Sequence, residues 1–458
     1  MYLLNANSNT PLHIQLFESI KKDIMQHYSI GAKLPSIRKV ANEHNISKTT
    51  VESAYSQLYA EGYIESLPKR GYFVSDFNFD TAVKKAPELA HTLTQKKTYR
   101  YDFFPAQLNK NDFPIKLWKR LSTKAFNENL DFGSYHEGQG ELALRTQIVT
   151  YLANSRGVHA TAAQIIITSG FSDAMGLLAK LIKTKYTYFG IENPGYHIAR
   201  RIFEEYGYRI EKIPVNTQGL DIDALKKSQA QIVYITPSHQ YPTGVSMPIS
   251  HRQKLLAYID KINGLIIEDD YDSELRYESR PIPALQGLDM ANRVVYLGTF
   301  SKSLSPALRI GYMVLPVHLL ALFHASYDAH FPRVSLPLQY TMARFMAEGH
   351  YEKHVRKVRT LNKRKHNLMR DHLKAKLKNS MKIISQGGGL AILIYPSVAF
   401  DWEKFKRLSE EKSIKIYLAK ERSGGDFEAI RMGFGGFSEK EIVEAVEVFC
   451  LVWHQSIK

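Results

Sequence analysis

Apolar residues in the first 75 positions recur at helical spacing and then at strand spacing. Ile14, Phe17, Ile20 and Ile24 share one face and predict a helix over about Leu12–Gln26. Gly31-Ala-Lys-Leu-Pro reads as a turn. Ser36 then caps a short helix, Ile37–Glu43, which Asn45 ends, and Ser47 caps a third. Within that third helix Val51, Ala54, Tyr55 and Leu58 stand at i, i+3, i+4 and i+7, so this face is core. Gly62-Tyr-Ile-Glu-Ser and Gly71-Tyr-Phe-Val flank Leu-Pro-Lys69-Arg70, a two-stranded wing with a basic tip. Residues 76–98 have mixed polarity and no period, and read as a linker. From 99 to 458 the pattern changes. Short apolar runs (Gln164-Ile-Ile-Ile-Thr, Gln231-Ile-Val-Tyr-Ile, Gly264-Leu-Ile-Ile-Glu, Arg293-Val-Val-Tyr-Leu) alternate with longer helical stretches. That alternation predicts an α/β fold with a parallel sheet covered on both faces.

Composition narrows the class. With 44% apolar and 23% charged residues, global disorder is excluded. Basic residues outnumber acidic ones 61 to 45, a net +16, which fits either a polyanionic partner or a merely basic enzyme. Residues 1–75 carry 8 basic and 6 acidic residues, so bulk charge does not decide their role. Residues 351–380 hold 11 basic and 2 acidic residues around Val355, Val358, Leu361 and Leu368. They predict a long helix with one buried face and a basic face that is solvated or turned to DNA. Cys450 is the sole cysteine, which excludes an intramolecular disulfide and a cysteine-rich zinc site and suits a reducing cytosol. The N-terminus lacks the basic start and long apolar core of a signal peptide. No run approaches the roughly 18 apolar residues of a membrane span. A cytoplasmic location with no membrane partner is the expectation.

Several short stretches carry chemistry. Lys48, Thr49 and Thr50 place a cation and short hydrogen-bonding side chains at the positive end of the third helix. A recognition helix needs that arrangement where it meets phosphates and base edges. A helical protein-interaction module would share the helices, but the order of helices and basic hairpin favours DNA.

In the larger part, Thr299-Phe-Ser-Lys302 follows an apolar strand, with Arg309 seven residues after the lysine. An amine that forms a Schiff base and an arginine that grips a phosphate suit an aldehyde cofactor carrying a phosphate. Thirty-three residues before Lys302, Glu-Asp269-Asp270-Tyr271 ends a buried strand. A pyridoxal ring needs a carboxylate against its nitrogen; a metal-binding cluster or solvated charge is the other reading, though no well-spaced histidine accompanies it. Ser169-Gly170-Phe171-Ser172 joins a strand to a helix and presents free N–H groups to a phosphate. Glu192-Asn-Pro-Gly-Tyr196 sets an aromatic after a tight turn, and Arg431 stands in an apolar strand. A buried arginine must be paired, with a substrate carboxylate or with an internal acid.

These motifs carry resemblances. Gly31-Ala-Lys-Leu-Pro-Ser-Ile-Arg38, Ile46-Ser-Lys-Thr-Thr-Val and Glu61-Gly-Tyr-Ile resemble the winged helix-turn-helix of the GntR regulators. That resemblance implies DNA contacts from Arg38, Lys48, Thr49 and Thr50 and from the wing residues Lys69, Arg70 and Gly71. From Tyr101 to Ile457 the chain resembles the fold-type-I aminotransferases, a mostly parallel sheet with a smaller C-terminal α+β subdomain. The resemblance implies pyridoxal 5′-phosphate as cofactor and Lys302 as the catalytic Schiff-base lysine. It sets Asp269 at the pyridine nitrogen, with Asp270 the alternative that the spacing disfavours, and Tyr271 at the phenolic oxygen. Gly170, Phe171, Ser172 and Arg309 would hold the phosphate, Tyr196 would stack on the ring, and Arg431 would bind an amino acid's α-carboxylate. Tyr135 would reach the phosphate of a dimer partner. Many of these enzymes have Asn-Pro-Thr-Gly where this chain has Tyr241-Pro-Thr-Gly. Tyr271 or His239 must then do more, and efficient transamination is not expected. The whole layout is similar to the MocR regulators. It implies a homodimer that binds double-stranded operator DNA and responds to pyridoxal 5′-phosphate or an amino compound. The competing class is an active aminotransferase with an accessory DNA-binding domain.

Overall fold

Pro11 leads into a helix over Leu12–His27, which buries Leu16, Phe17, Ile20 and Ile24. The Ser36 side chain accepts the Lys39 N–H and starts Ile37–His44, which Asn45 stops in the left-handed region at φ 52°. Ser47 accepts the Thr50 N–H and starts Lys48–Ala60. Ile64–Leu67 and Gly71–Val74 pair antiparallel, and positive φ at Lys69 (61°) and Gly71 (102°) turns the tip between them. The three helices and the wing therefore stand as the sequence predicts, with ends shifted by a residue or two. Val40, Val51, Tyr55, Leu58, Ile64 and Val74 meet in one small core, and the Tyr55 hydroxyl donates to the Pro35 carbonyl at 2.8 Å.

The computed structural model describes residues 2, 4, 5, 8, 10–76, 97–128, 130–278, 282–327, 333–385, 387–419 and 429–458. They fall into two compact units, divided between Lys96 and Lys97. Most of the expected linker, residues 77–96, lies outside the described residues. Lys97 and the Tyr99 hydroxyl both bond to Glu410, which ties the chain to the second unit from its first residue.

The second unit is built on an eight-stranded sheet. Its order is Ile165–Thr168, Gly311–Val314, Val294–Thr299, Leu265–Asp270, Ile232–Ile235, Tyr188–Asn193, Arg209–Asn216 and Gly219–Leu220. Neighbours from Val294–Thr299 to Arg209–Asn216 run parallel. Gly311–Val314 is antiparallel to both of its neighbours. Every residue of Ile165–Thr168, Ile232–Ile235 and Leu265–Asp270 is buried. That is why these strands appear in the sequence as unbroken apolar runs rather than as alternating ones.

A smaller antiparallel sheet, Met381–Ser385, Ala391–Pro396 and Ile430–Gly433, packs with Trp402–Glu411 and Glu439–Gln455 into the C-terminal α+β part. Tyr101–Asp102 pairs there with Ile414–Lys415.

The basic run of 351–380 does form one long helix, His350–Leu377. Its buried line differs from the expected one. It passes through Val355, Val358, Asn362, Lys365, His366 and Met369, while Leu361 and Leu368 are half-buried. Lys365 is therefore a core residue, not part of a solvent-facing basic stripe.

Candidate functional site

A cavity of about 650 Å³ opens where the parallel strands end, the place where open α/β sheets bind ligands. Lys302, three residues beyond the strand Val294–Thr299, lines it together with Asp269, Tyr271, Tyr196, Gly170, Phe171, Ser172, Arg309 and Arg431. Residues that the sequence separates by more than half of the chain thus converge.

The lysine amine lies 3.9 Å from the Tyr271 ring centroid and 4.0 Å from the Asp272 carboxylate. Burial lowers its pKa to about 8, against the pull of Asp272. Asp272 itself sits 2.9 Å from His239 Nδ1. Burial opposes its charge, but His239 and Lys302 hold its carboxyl below the ordinary value. The Tyr271 hydroxyl donates to the His239 carbonyl at 2.8 Å.

The two neighbouring carboxylates of the strand end separate cleanly. Asp269 faces the cavity and accepts the Tyr234 hydroxyl at 2.6 Å; burial raises its carboxyl to about 7. Asp270 accepts Arg156 Nε and the Tyr296 hydroxyl, each at 2.6 Å, and is absorbed in the frame behind the site. Alternation along a strand sends successive side chains to opposite faces, so of the two only Asp269 lines the cavity.

At the cavity's other end the helix Phe171–Ile182 begins at Gly170, and no side chain caps it. Its first N–H groups have no partners within the helix. Arg309 donates Nη2 to the Ser169 carbonyl at 2.8 Å. A Cβ on Gly170 (φ 98°) would stand 2.6 Å from that guanidinium, so only glycine leaves the cradle open. The Thr299 hydroxyl donates to Ser301 Oγ at 2.9 Å beside it. A phosphate fits this donor set, and the buried Asp269 and the depressed amine of Lys302 fit the two reactive ends of a pyridoxal ring.

Tyr196 lies edge-on to Phe171 and to Tyr241, each at 5.2 Å between centroids. Arg431 donates Nη1 to the Tyr241 hydroxyl at 2.8 Å, and its guanidinium lies 4.4 Å from that ring's centroid. No acid pairs with Arg431 among the described residues. Tyr241 is thus the arginine's partner. Tyr135 is 81% exposed and off the cavity wall.

Sequence reasoning missed Tyr234, Asp272, Thr299 and Ser301, and the strip Phe104–Lys110 with Phe113 that walls the cavity. In the first unit Arg38, Lys48, Thr49, Lys69, Arg70 and Gly71 are all exposed. Thr50 is half-buried, and its Oγ1 is 2.8 Å from Ser47 Oγ.

Fold and site together define a winged helix-turn-helix joined to a pyridoxal 5′-phosphate-dependent aminotransferase fold. Comparison with known proteins agrees. Residues 105–449 match the aminotransferase class I and II family, and residues 12–74 match the gntR family of bacterial regulatory proteins. The chain is 36% identical to the uncharacterized HTH-type transcriptional regulator YdeL of Bacillus subtilis, over 98% of each chain. It is 33% identical to the probable rhizopine catabolism regulatory protein MocR of Rhizobium meliloti, over 79% of this chain and 77% of that one. Kynurenine aminotransferase from Pyrococcus horikoshii superposes with a TM-score of 0.70 at 23% identity, covering 83% of this chain and 97% of that one, a likeness of fold. The chain belongs to the MocR-type HTH transcriptional regulators, in which a gntR-family domain precedes an aminotransferase class I and II domain. Its cofactor class is pyridoxal 5′-phosphate. Among the described residues no helix is long and apolar enough to cross a membrane.

Proposed function

We propose that the second unit is a sensor: it holds pyridoxal 5′-phosphate at Lys302 and reads an amino compound that reaches the same cavity. The observation that carries the reading is the convergence of Lys302, Asp269, the Gly170–Arg309 cradle and Arg431 on one cavity. Bound there, the cofactor supplies an aldehyde that condenses with amines and a ring that withdraws electrons.

The chain's own residues have separate tasks. Gly170, Phe171, Ser172 and Arg309 bind the phosphate end through backbone N–H groups and a guanidinium. Asp269 holds a proton or a positive charge at the ring nitrogen, Tyr271 bonds the phenolic oxygen, and Tyr196 packs on the ring. Arg431 binds an effector carboxylate, giving up or sharing its bond to Tyr241. Asp272 sets the charge on Lys302, with His239 holding it in place.

The first unit binds double-stranded operator DNA through Arg38, Lys48, Thr49 and Thr50 in the major groove, and through Lys69, Arg70 and Gly71 at the wing. A homodimer in the cytoplasm fits the layout, since a pair of winged units matches paired half-sites; in that dimer Tyr135, which is exposed here, reaches the partner's phosphate.

Titrating the cofactor-loaded protein with amino acids, with and without a keto acid to accept the amino group, while following absorbance and operator affinity, tests the reading. A spectral change that moves with DNA affinity, at slow turnover, supports the sensor. Fast keto-acid formation with DNA affinity unchanged would instead support the aminotransferase.

A further inference from the structure

Lys365 is 2% exposed, although its neighbours in the long helix, Lys363 and Arg364, face solvent. Lysine is almost never fully buried unless paired, because stripping water from an ammonium is costly. Here the ammonium donates to the Gly435 carbonyl at 3.1 Å and stands 3.7 Å from the Asp112 carboxylate. Burial lowers its pKa, while Asp112, Glu439 and Glu441 draw it the other way.

Both partners belong to the cavity's frame. Gly435 lies in the turn that leaves Arg431's strand, Ile430–Gly433. Asp112 ends the turn Lys110–Asp112, and Lys110 continues the strip Phe104–Asn109 along the cavity wall. Strip and turn touch through bare backbone. A Cβ on Gly433 would lie 2.4 Å from the Phe104 carbonyl oxygen, and one on Gly435 would lie 2.4 Å from that of Gln107. Asn109 Nδ2 donates to the Gly436 carbonyl at 3.2 Å. The Gly433 N–H donates to the Phe103 carbonyl at 3.1 Å and the Phe103 ring packs on Phe437, which pins the start of the strip; farther along, at Asp112, Lys365 engages both sides.

We propose that Lys365 is a positioning residue for the cavity: it clamps the strip Phe104–Phe113 to the turn behind Arg431 and so fixes the width of the effector side. The inference rests on the cofactor-and-effector reading of the cavity. A ligand that spans from Lys302 to Arg431 lies beside that strip, so releasing the clamp loosens the wall and speeds exchange of what the cavity holds.

The test uses the full chain loaded with pyridoxal 5′-phosphate and compares Lys365→Met, Asp112→Asn and Met369→Ala. Met369 lies one turn along the same helix, fully buried in the apolar core and outside the polar pairs that Lys365 makes with Gly435 and Asp112. Hydrogen exchange of amides 103–113 and the rate of cofactor release on dilution are measured. In Lys365→Met the strip should exchange roughly tenfold to hundredfold faster, the range set by losing one charge-assisted hydrogen bond. Release should speed up with it. Asp112→Asn should change both in the same direction by less, and it decides the matter if Lys365→Met does not fold. Met369→Ala should loosen the helix without singling out the strip. Parental exchange of the strip in both clamp variants, or a loosening spread evenly over the unit, overturns the proposal. If the parent takes up no cofactor, the reading of the site fails, while strip exchange still decides the clamp.

Discussion

Lys48 and Lys302 are both lysines at proposed functional positions, and their settings are opposite. Lys48 opens a helix in the first unit, exposed and without an ion pair among the described residues. Lys302 sits in a cavity under a tyrosine ring, 4.0 Å from a carboxylate, with its pKa pulled down to about 8. The arginines divide in the same way. Arg38 and Arg70 face water, whereas Arg431 is half-buried against Tyr241. A polyanion is recognised by charges that remain available in water and act through counterion release. A small amine is recognised by groups whose reactivity burial has altered. The first unit therefore needs a stiff scaffold beneath plain side chains, and the second needs a shell that controls charge.

The largest expected effect lies in the second unit. Lys302→Ala should abolish cofactor that borohydride can fix to the protein, while leaving the DNA-binding unit folded and competent. A chromophore in that variant that is still fixed by borohydride would remove Lys302 from the role. The setting of Lys302 is also measurable without cofactor. An amine-directed reagent should label it with a midpoint near pH 8, well below the roughly 10.4 of a free lysine. Below that midpoint the amine is charged and unreactive. Asp272→Asn removes an attracting anion, so the midpoint should fall further; a rise, or no change, would discard Asp272 as the charge-setting group.

Next in size is Arg431→Ala. The variant should retain cofactor and lose the spectral response to amino acids, by on the order of 2–5 kcal/mol if a buried charge-assisted pair is broken. An undiminished response would mean that Arg431 only orders Tyr241. A smaller effect belongs to the first unit. Replacing Thr49 and Thr50 by alanine should erode the preference for operator over random DNA, by about 1–3 kcal/mol for each base no longer recognised, with little change in salt dependence. Since Thr50 Oγ1 lies 2.8 Å from Ser47 Oγ, Thr49 should account for most of the effect.

The contrast between the units also explains what could be read from sequence. The first unit was legible almost entirely, because its caps, core face and wing are local patterns within 75 residues. In the second, Lys302, Asp269, Arg309 and Gly170 sit at strand ends in short stretches with their own chemistry. The strip Phe104–Phe113 carries no such pattern. It reaches the cavity only because Gly433, Gly435 and Gly436 admit its backbone, an approach that spans some three quarters of the chain. The acidic strand end pointed to Asp269 and Asp270 but gave no role to Asp272, because only the fold brings His239 and Lys302 to it. Lys365 is hidden for a different reason. Its neighbours make it look like surface charge, although it falls seven residues after Val358 and four before Met369, on the buried line.

The burial of Lys365 sets the smallest prediction, which concerns the long basic helix. With Lys365 in the core, the remaining pair at its middle is Lys363 and Arg364, both exposed. Arg364 also lies 3.3 Å from Glu439, and an exposed pair of this kind contributes little and is easily exchanged for water. Farther along, Arg370 faces Glu278 and Asp371, and Lys376 faces Glu447. Four of the run's eleven basic residues, Lys365 included, are thus answered by acids within the protein. If this face touches DNA, it does so without choosing sequence. Replacing Lys363 and Arg364 by glutamine would then weaken operator and random DNA alike and flatten the salt slope by up to roughly 1.8, at about 0.9 per phosphate released. The ion pairs favour the other outcome, a slope equal to the parent's. Binding that is unchanged at every salt concentration would confine DNA contact to the winged unit, and the contrast between exposed recognition and buried sensing would hold without exception. A flattened slope would show that the second unit also presents plain charges to the polyanion.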